Sequence, residues 1–197
     1  MSIFRTGTTR TDALMTVPGS LADTAARQGT SLAESFVSAE AVILVDTSGS
    51  MSARDSRGGQ RRYDVALEEL AALQAAIPGK VAVIAFSDTQ LFVPGGQPPF
   101  LSGGTDLTGA LKFAKVADVP GMRFIVVSDG MPDNQITALA VAGTFTNKID
   151  TVYVGPERDT YARDFLARLS ATKGGQTITA DRVVELADKV ERLLLGA

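Results

Sequence analysis

The chain is 197 residues long, 45% hydrophobic and 21% charged, a balance that suits a folded globular protein and excludes a largely disordered one. With 19 Lys and Arg against 22 Asp and Glu, its net charge is -3, which gives no support to a protein that holds nucleic acid by neutralising phosphates. It contains no Cys and no His, so thiolate nucleophiles, Ser-His-Asp triads and ordinary zinc sites are all excluded, and any metal has to be a hard cation held by oxygen.

In chain order, residues 1–40 stand apart from the rest. The first dozen are rich in Thr and Arg, and they hold no apolar stretch of signal-peptide length. Pro18-Gly19 marks a turn, and a thin helical pattern from Leu21 to Phe36 is interrupted by Gly29. This segment reads as an arm with at most one short helix, either a flexible leader or a strip that docks on the domain edge or on a partner. No run approaches the roughly 20 apolar residues of a membrane span, so the expectation is a cytoplasmic protein with no membrane partner.

From Ala41 onward the pattern becomes regular. Ala41 to Val45 is a fully apolar, β-branched run, as expected of a central strand covered on both faces. After a polar loop, Tyr63, Ala66, Leu67, Leu70, Leu73 and Ile77 fall at helical spacing, and Pro78-Gly79 ends that helix. Lys80 to Phe86 predicts a second buried strand, and Leu91 to Val93 a short edge strand stopped by Pro94. Helices follow around Leu107, Leu111 and Phe113, around Ile136 to Val141, and around Tyr161, Phe165, Leu166 and Leu169. They alternate with strands at Arg123 to Val127, at Asp150 to Val154 and, weakly, at Gln176 to Thr179. A last amphipathic helix carries Val183, Leu186, Ala187, Val190, Leu193 and Leu194.

This alternation predicts an α/β fold: a doubly wound, mostly parallel central sheet flanked by helices, with one short antiparallel edge strand. Right-handed crossovers place the strand-to-helix loops at one end of the sheet, where such folds bind ligands. Three of those loops carry oxygen-rich side chains. Asp46-Thr47-Ser48-Gly49-Ser50 follows the first strand, Gly103-Gly104-Thr105-Asp106 precedes a helix, and Ser128-Asp129-Gly130 follows the strand at Arg123 to Val127. Gly49 lets the first loop curl so that Asp46, Ser48 and Ser50 face one point, and Thr105 and Asp129 complete the set if their loops converge there. A carboxylate with hydroxyls suits Mg²⁺ or Mn²⁺ rather than Zn²⁺. Each residue alone is equally the mark of a helix N-cap or a turn.

The three loops together resemble the metal-ion-dependent adhesion site of von Willebrand factor type A domains, and the chain from about Ala41 to Leu195 is similar to that family in its strand–helix order. The matching segments are Val45 to Met51, Gly103 to Leu107 and Val127 to Gly130. The resemblance implies that Ser48 and Ser50 ligate the ion directly, that Asp46 and Asp129 do so directly or through water, and that Thr105 alternates between the two. It also implies Mg²⁺ or Mn²⁺ ahead of Ca²⁺, and a partner protein that offers an Asp or Glu to the ion. In cells the family assembles complexes, often beside an AAA+ ATPase.

The domain organisation expected is therefore an arm over residues 1–40 and a von Willebrand A-like domain over 41–197. The function expected is metal-dependent protein binding, without nucleic acid or a small-molecule substrate. An enzyme is the weaker reading, because the Asp-x-Asp of aspartyl phosphatases is broken by Ser48 and no phosphate-binding glycine loop is present. The alternative is an assembly protein that self-associates through its arm, with metal only stabilising the fold. The loop from Ser52 to Arg62 departs from the family in length and carries Arg54, Arg57, Arg61 and Arg62 against Asp55 alone. It is either a solvated insertion or a basic patch that steers an acidic partner. Asp106 is expected either to support the metal ligands from behind or to start a helix, and Asp133 to cap one.

Overall fold

Strand β1 (Ala41–Asp46) is buried at all six positions, which places it at the centre of the sheet. A computed structural model describes residues 15–179; the amphipathic run from Val183 to Leu194 lies outside the described residues. The other strands are β2 (Val81–Phe86), β3 (Gln90–Phe92), β4 (Arg123–Ser128), β5 (Ile149–Tyr153) and β6 (Thr177–Thr179). They form one six-stranded sheet in the order β3-β2-β1-β4-β5-β6, parallel throughout except for the β2–β3 pair.

Side chains alternate between two helical layers, as the pleat requires. Val42, Leu44, Phe124 and Val126 enter one core, beneath α4 (Leu107–Ala114), α5 (Gln135–Gly143) and α6 (Thr160–Ala171). Ile43, Val45, Ile125 and Val127 enter the other, against Tyr63, Ala66, Leu70 and Leu73 of α3 (Arg62–Ala76). Both faces of β1 and β4 are thus dry, which is why these strands read as unbroken apolar runs. Their strand-to-helix loops gather where the strand order reverses, between β1 and β4, the usual ligand-binding crevice of such a sheet.

Residues 15–40 hold two helices, α1 (Leu21–Gln28) and α2 (Leu32–Val37), where the sequence pattern led us to expect at most one. Gly29, at φ 68°, closes α1 in a left-handed cap that a residue with a Cβ adopts only with strain. Ser31 and Glu34 then form a reciprocal capping box that starts α2. This segment lies against the β3 side of the sheet. The Val17 and Ala22 N–H groups donate to the Gly95 and Pro94 carbonyls at 2.9 Å each, and Leu21 is buried in the core. Among the described residues no helix is long and apolar enough to cross a membrane.

Candidate metal centre

Asp46 ends β1 and Ser128 ends β4, and the parallel register that pairs Val45 with Val127 sets the two side by side. The Ser128 hydroxyl donates to Asp46 Oδ2 at 2.7 Å while accepting from the Gly130 N–H at 3.0 Å. Asp46 Oδ1 accepts from the Ser48 N–H at 2.9 Å, the hydrogen bond of an Asx turn, and this turns the chain so that Ser48 and Ser50 share a side. Their hydroxyl oxygens lie 3.1 Å apart. Ser48 is buried and Ser50 is exposed, so this pair forms the rim between the interior and solvent.

Two further hydrogen bonds tie the Thr105 loop to the first. The Gly49 N–H donates to the Gly103 carbonyl and the Ser102 N–H to the Thr47 carbonyl, each at 2.9 Å. Gly103, at φ 85°, makes the bend that brings this loop over Gly49, and a Cβ there would run into the Asp88 carboxylate. The Thr105 N–H donates to both oxygens of Asp133 at 3.1 Å, which leaves the Thr105 hydroxyl outside these bonds. Asp133 thus braces the Thr105 loop instead of capping α5. The cap is Asn134, whose side-chain oxygen accepts from the Thr137 N–H at 3.0 Å. Asp106 does start α4, accepting from the Gly109 N–H at 2.8 Å.

Asp129 supplies the second carboxylate. Its side chain is fully buried, and Oδ2 accepts from Arg62 Nη1 at 2.7 Å. The other oxygen, Oδ1, is buried without a hydrogen-bond partner. A buried carboxylate oxygen left in that state is costly, and it is the kind of group a cation satisfies. Burial, and then the neighbouring charge of Asp129, push the Asp46 carboxyl up to about 6, against the hydrogen bonds from Ser48 and Ser128 that favour its ionised form. The carboxyls of Asp46 and Asp129 are therefore close enough to resist sharing two negative charges.

Asp46, Ser48 and Ser50 are joined directly, and Asp129 lies within electrostatic reach of Asp46. Thr105 is tied to them through the backbone, and no hydrogen bond links its side chain to the other four. The donor set is hard oxygen, and among the described residues no group of three or more acidic side chains forms a cage. These residues fit a small divalent ion that keeps part of its water shell.

Three of the four arginines in the basic loop are ion-paired, which leaves it less open than its composition suggests, and Arg54 is exposed. Arg57 pairs with Glu68 and Glu69, Arg61 with Asp64, and Arg62 with Asp55 and Asp129. Helix α3 supplies Glu68, Glu69 and Asp64, which the helical spacing places beyond the loop itself. Sequence reasoning missed two contributors to the site. Ser128 was recognisable, because a strand-end hydroxyl beside Asp46 follows from the parallel register. The contact of Arg62 with Asp129 spans 67 residues and no spacing rule announces it.

No protein-family model matches the chain, and no curated protein matches it in sequence. Solved structures do match in fold. An aerotolerance-related membrane protein from Bacteroides fragilis, in a form with multiple mutations to serines, aligns with a TM-score of 0.63 at 16% identity, over 81% of this chain and 100% of that one. The manganese-loaded TRAP protein of Plasmodium vivax aligns at 0.56 and 15% identity, over 74% and 70%. A von Willebrand factor type A protein from Catenulispora acidiphila aligns at 0.53 and 16% identity, over 77% and 41%. The chain therefore has the von Willebrand factor type A fold.

Proposed function

We propose that Asp46, Ser48, Ser50, Thr105 and Asp129 bind Mg²⁺ or Mn²⁺ and that the domain uses this site to hold an acidic side chain of a partner protein. The observation that carries the reading is the buried, unpartnered Oδ1 of Asp129 beside a second buried carboxylate, at the crevice where the strand order reverses. The fold likeness to a manganese-loaded protein supports the choice of ion. Two carboxylates bring a 2+ ion only to neutrality, so a bound ion would supply an acceptor for one more carboxylate.

The chain's own residues divide the remaining work. Ser128 and the Ser48 N–H hold the Asp46 carboxylate in one orientation. Asp133 fixes the Thr105 backbone and leaves that hydroxyl available, and Ser50 stands at the solvent edge where a partner would arrive. Hydroxyls are neutral, weak ligands, so they leave the ion's charge for the incoming carboxylate. The reading is a binding module rather than an enzyme. The chain has no His to serve as a general base, and the second Asp of an aspartyl phosphatase pair is replaced by Ser48.

Thermal unfolding in EDTA, Mg²⁺, Mn²⁺ and Ca²⁺, for the wild type and for Ser50→Ala, tests this. Ser50 is exposed, so its substitution leaves the fold intact. An ion at a hundred times its Kd adds about 2.7 kcal/mol to the wild type, or roughly 5–11 °C in Tm for a chain of this size. A smaller rise in Ser50→Ala is expected. No rise in the wild type with any of the three ions refutes the site.

A further inference from the structure

Arg62 occupies an odd place for a cation. It is the first residue of α3, where the helix dipole disfavours positive charge, and its side chain is only 14% exposed. Something other than helix formation holds it there. Its guanidinium forks onto Asp55, with Nε donating to Oδ1 at 2.7 Å and Nη2 to Oδ2 at 2.8 Å. The remaining nitrogen, Nη1, donates to the buried Asp129 Oδ2. The loop carrying Asp55 is itself stapled down. The Arg62 N–H donates to the Ala53 carbonyl at 3.0 Å, and the Ser56 hydroxyl to the Val154 carbonyl, just past β5, at 2.6 Å.

We infer that Arg62 is the chain's own counter-cation for the metal centre: it neutralises Asp129 in the metal-free protein, opposes the ion for that carboxylate, and does so with a charge that Asp55 partly draws away. This rests on the metal-binding reading above. Asp46 and Asp129 present two negative charges to an ion, and the guanidinium on Asp129 cancels one of them. One oxygen of Asp129 is already engaged by Arg62, and only Oδ1 remains for the ion. Affinity at the site is thereby set below what its ligand list alone would give. The fork onto Asp55 matters because it shares the guanidinium between two carboxylates; without Asp55 the full charge of Arg62 falls on Asp129.

Opposite effects of the two substitutions test the inference. Isothermal titration with Mn²⁺ at about pH 8 is run on the full chain, on Arg62→Gln, on Asp55→Asn, and on Arg61→Gln as a control. Arg61 carries the same charge one residue away but pairs with Asp64. Arg62→Gln is expected to bind Mn²⁺ about tenfold more tightly, the equivalent of about 1.4 kcal/mol, and to lose Tm in EDTA that Mn²⁺ restores. Asp55→Asn is expected to bind more weakly than wild type, and Arg61→Gln to stay within about twofold of it. A generally loosened loop would weaken binding in both Arg62→Gln and Asp55→Asn, and that result overturns the inference. Equal affinities in the wild type, Arg62→Gln and Asp55→Asn overturn it too, while leaving the metal site standing. If neither the wild type nor Arg62→Gln takes up Mn²⁺, the metal reading fails and the inference with it.

Discussion

Replacing Asp46 by Asn should make the metal-free protein more stable at neutral pH and leave it nearly unchanged at about pH 4. In the folded chain the Asp46 carboxyl is pushed from 3.8 up to about 6, first by burial and then by the Asp129 charge. Between those values the folded state keeps a proton that the unfolded chain has released, so stability falls as pH rises through that window. At about 1.4 kcal/mol per pH unit, the gap amounts to about 3 kcal/mol, nearly all of it lost by pH 7. Asn fits the same space, carries no charge at any pH, and keeps an oxygen for the Ser48 N–H. Carboxyls whose partners lie away from Asp46 contribute equally to both proteins. Asp118, whose burial is outweighed by Lys115 and the Thr146 and Asn147 N–H groups, is held low, and Asp55 is held low by Arg62. The assay is urea unfolding in EDTA from about pH 4 to 8, with the difference between the two proteins plotted against pH. A difference that grows by about 2–3 kcal/mol toward neutral pH supports the reasoning. Parallel profiles would refute it, because Asp46 would then sit in an environment no harsher than water.

Ser128→Ala removes the one hydroxyl on Asp46 Oδ2 and the acceptor of the Gly130 N–H, and should cost about 2–3 kcal/mol by urea unfolding. The same variant should bind Mn²⁺ about 10–100-fold more weakly by calorimetry, since it loosens a ligand it does not replace. Gly130→Ala, at φ 84° and against the Ala162 carbonyl, should lower stability by more than about 1 kcal/mol in a thermal melt, with a loss of Mn²⁺ affinity because Asp129 precedes it. Phe124→Ala empties a fully buried position that packs edge-on against Phe145 at 4.8 Å, and should cost about 3–5 kcal/mol by urea unfolding without changing Mn²⁺ affinity in the fraction that remains folded.

How much of this was legible in the sequence follows from where the information is stored. The strands were readable to within a residue or two because burial on both faces forces continuous apolar runs. Val81–Phe86 and Arg123–Ser128 sit where Lys80 to Phe86 and Arg123 to Val127 were expected. The two helices of residues 15–40 were underread. Ser31 and Glu34 stand at capping-box spacing, a signal present in the chain, but the apolar face behind them is thin and Gly29 looks like an interruption rather than a boundary. Asp46, Ser48 and Ser50 were readable as a group because one tight turn joins them. The Asp133 brace and the Arg62 counter-charge were not, because each depends on which loop lies over which once the sheet is wound, and Asp133 sits beside the better local cap, Asn134.

The central position of β1 has a mechanical consequence. Any load applied at the Asp46 loop enters the sheet at the end of a strand that is paired in parallel along six positions with β2 and five with β4. Tension along that strand is carried in shear, by both ladders at once, instead of opening a hydrogen bond at a time as it would on an edge strand. The chain upstream of β1 is pinned in turn, with the Glu40 and Ala41 N–H groups donating to the Lys80 carbonyl and the Arg123 N–H to the Glu40 carbonyl. A tether fixed at this point would pull on two parallel ladders together.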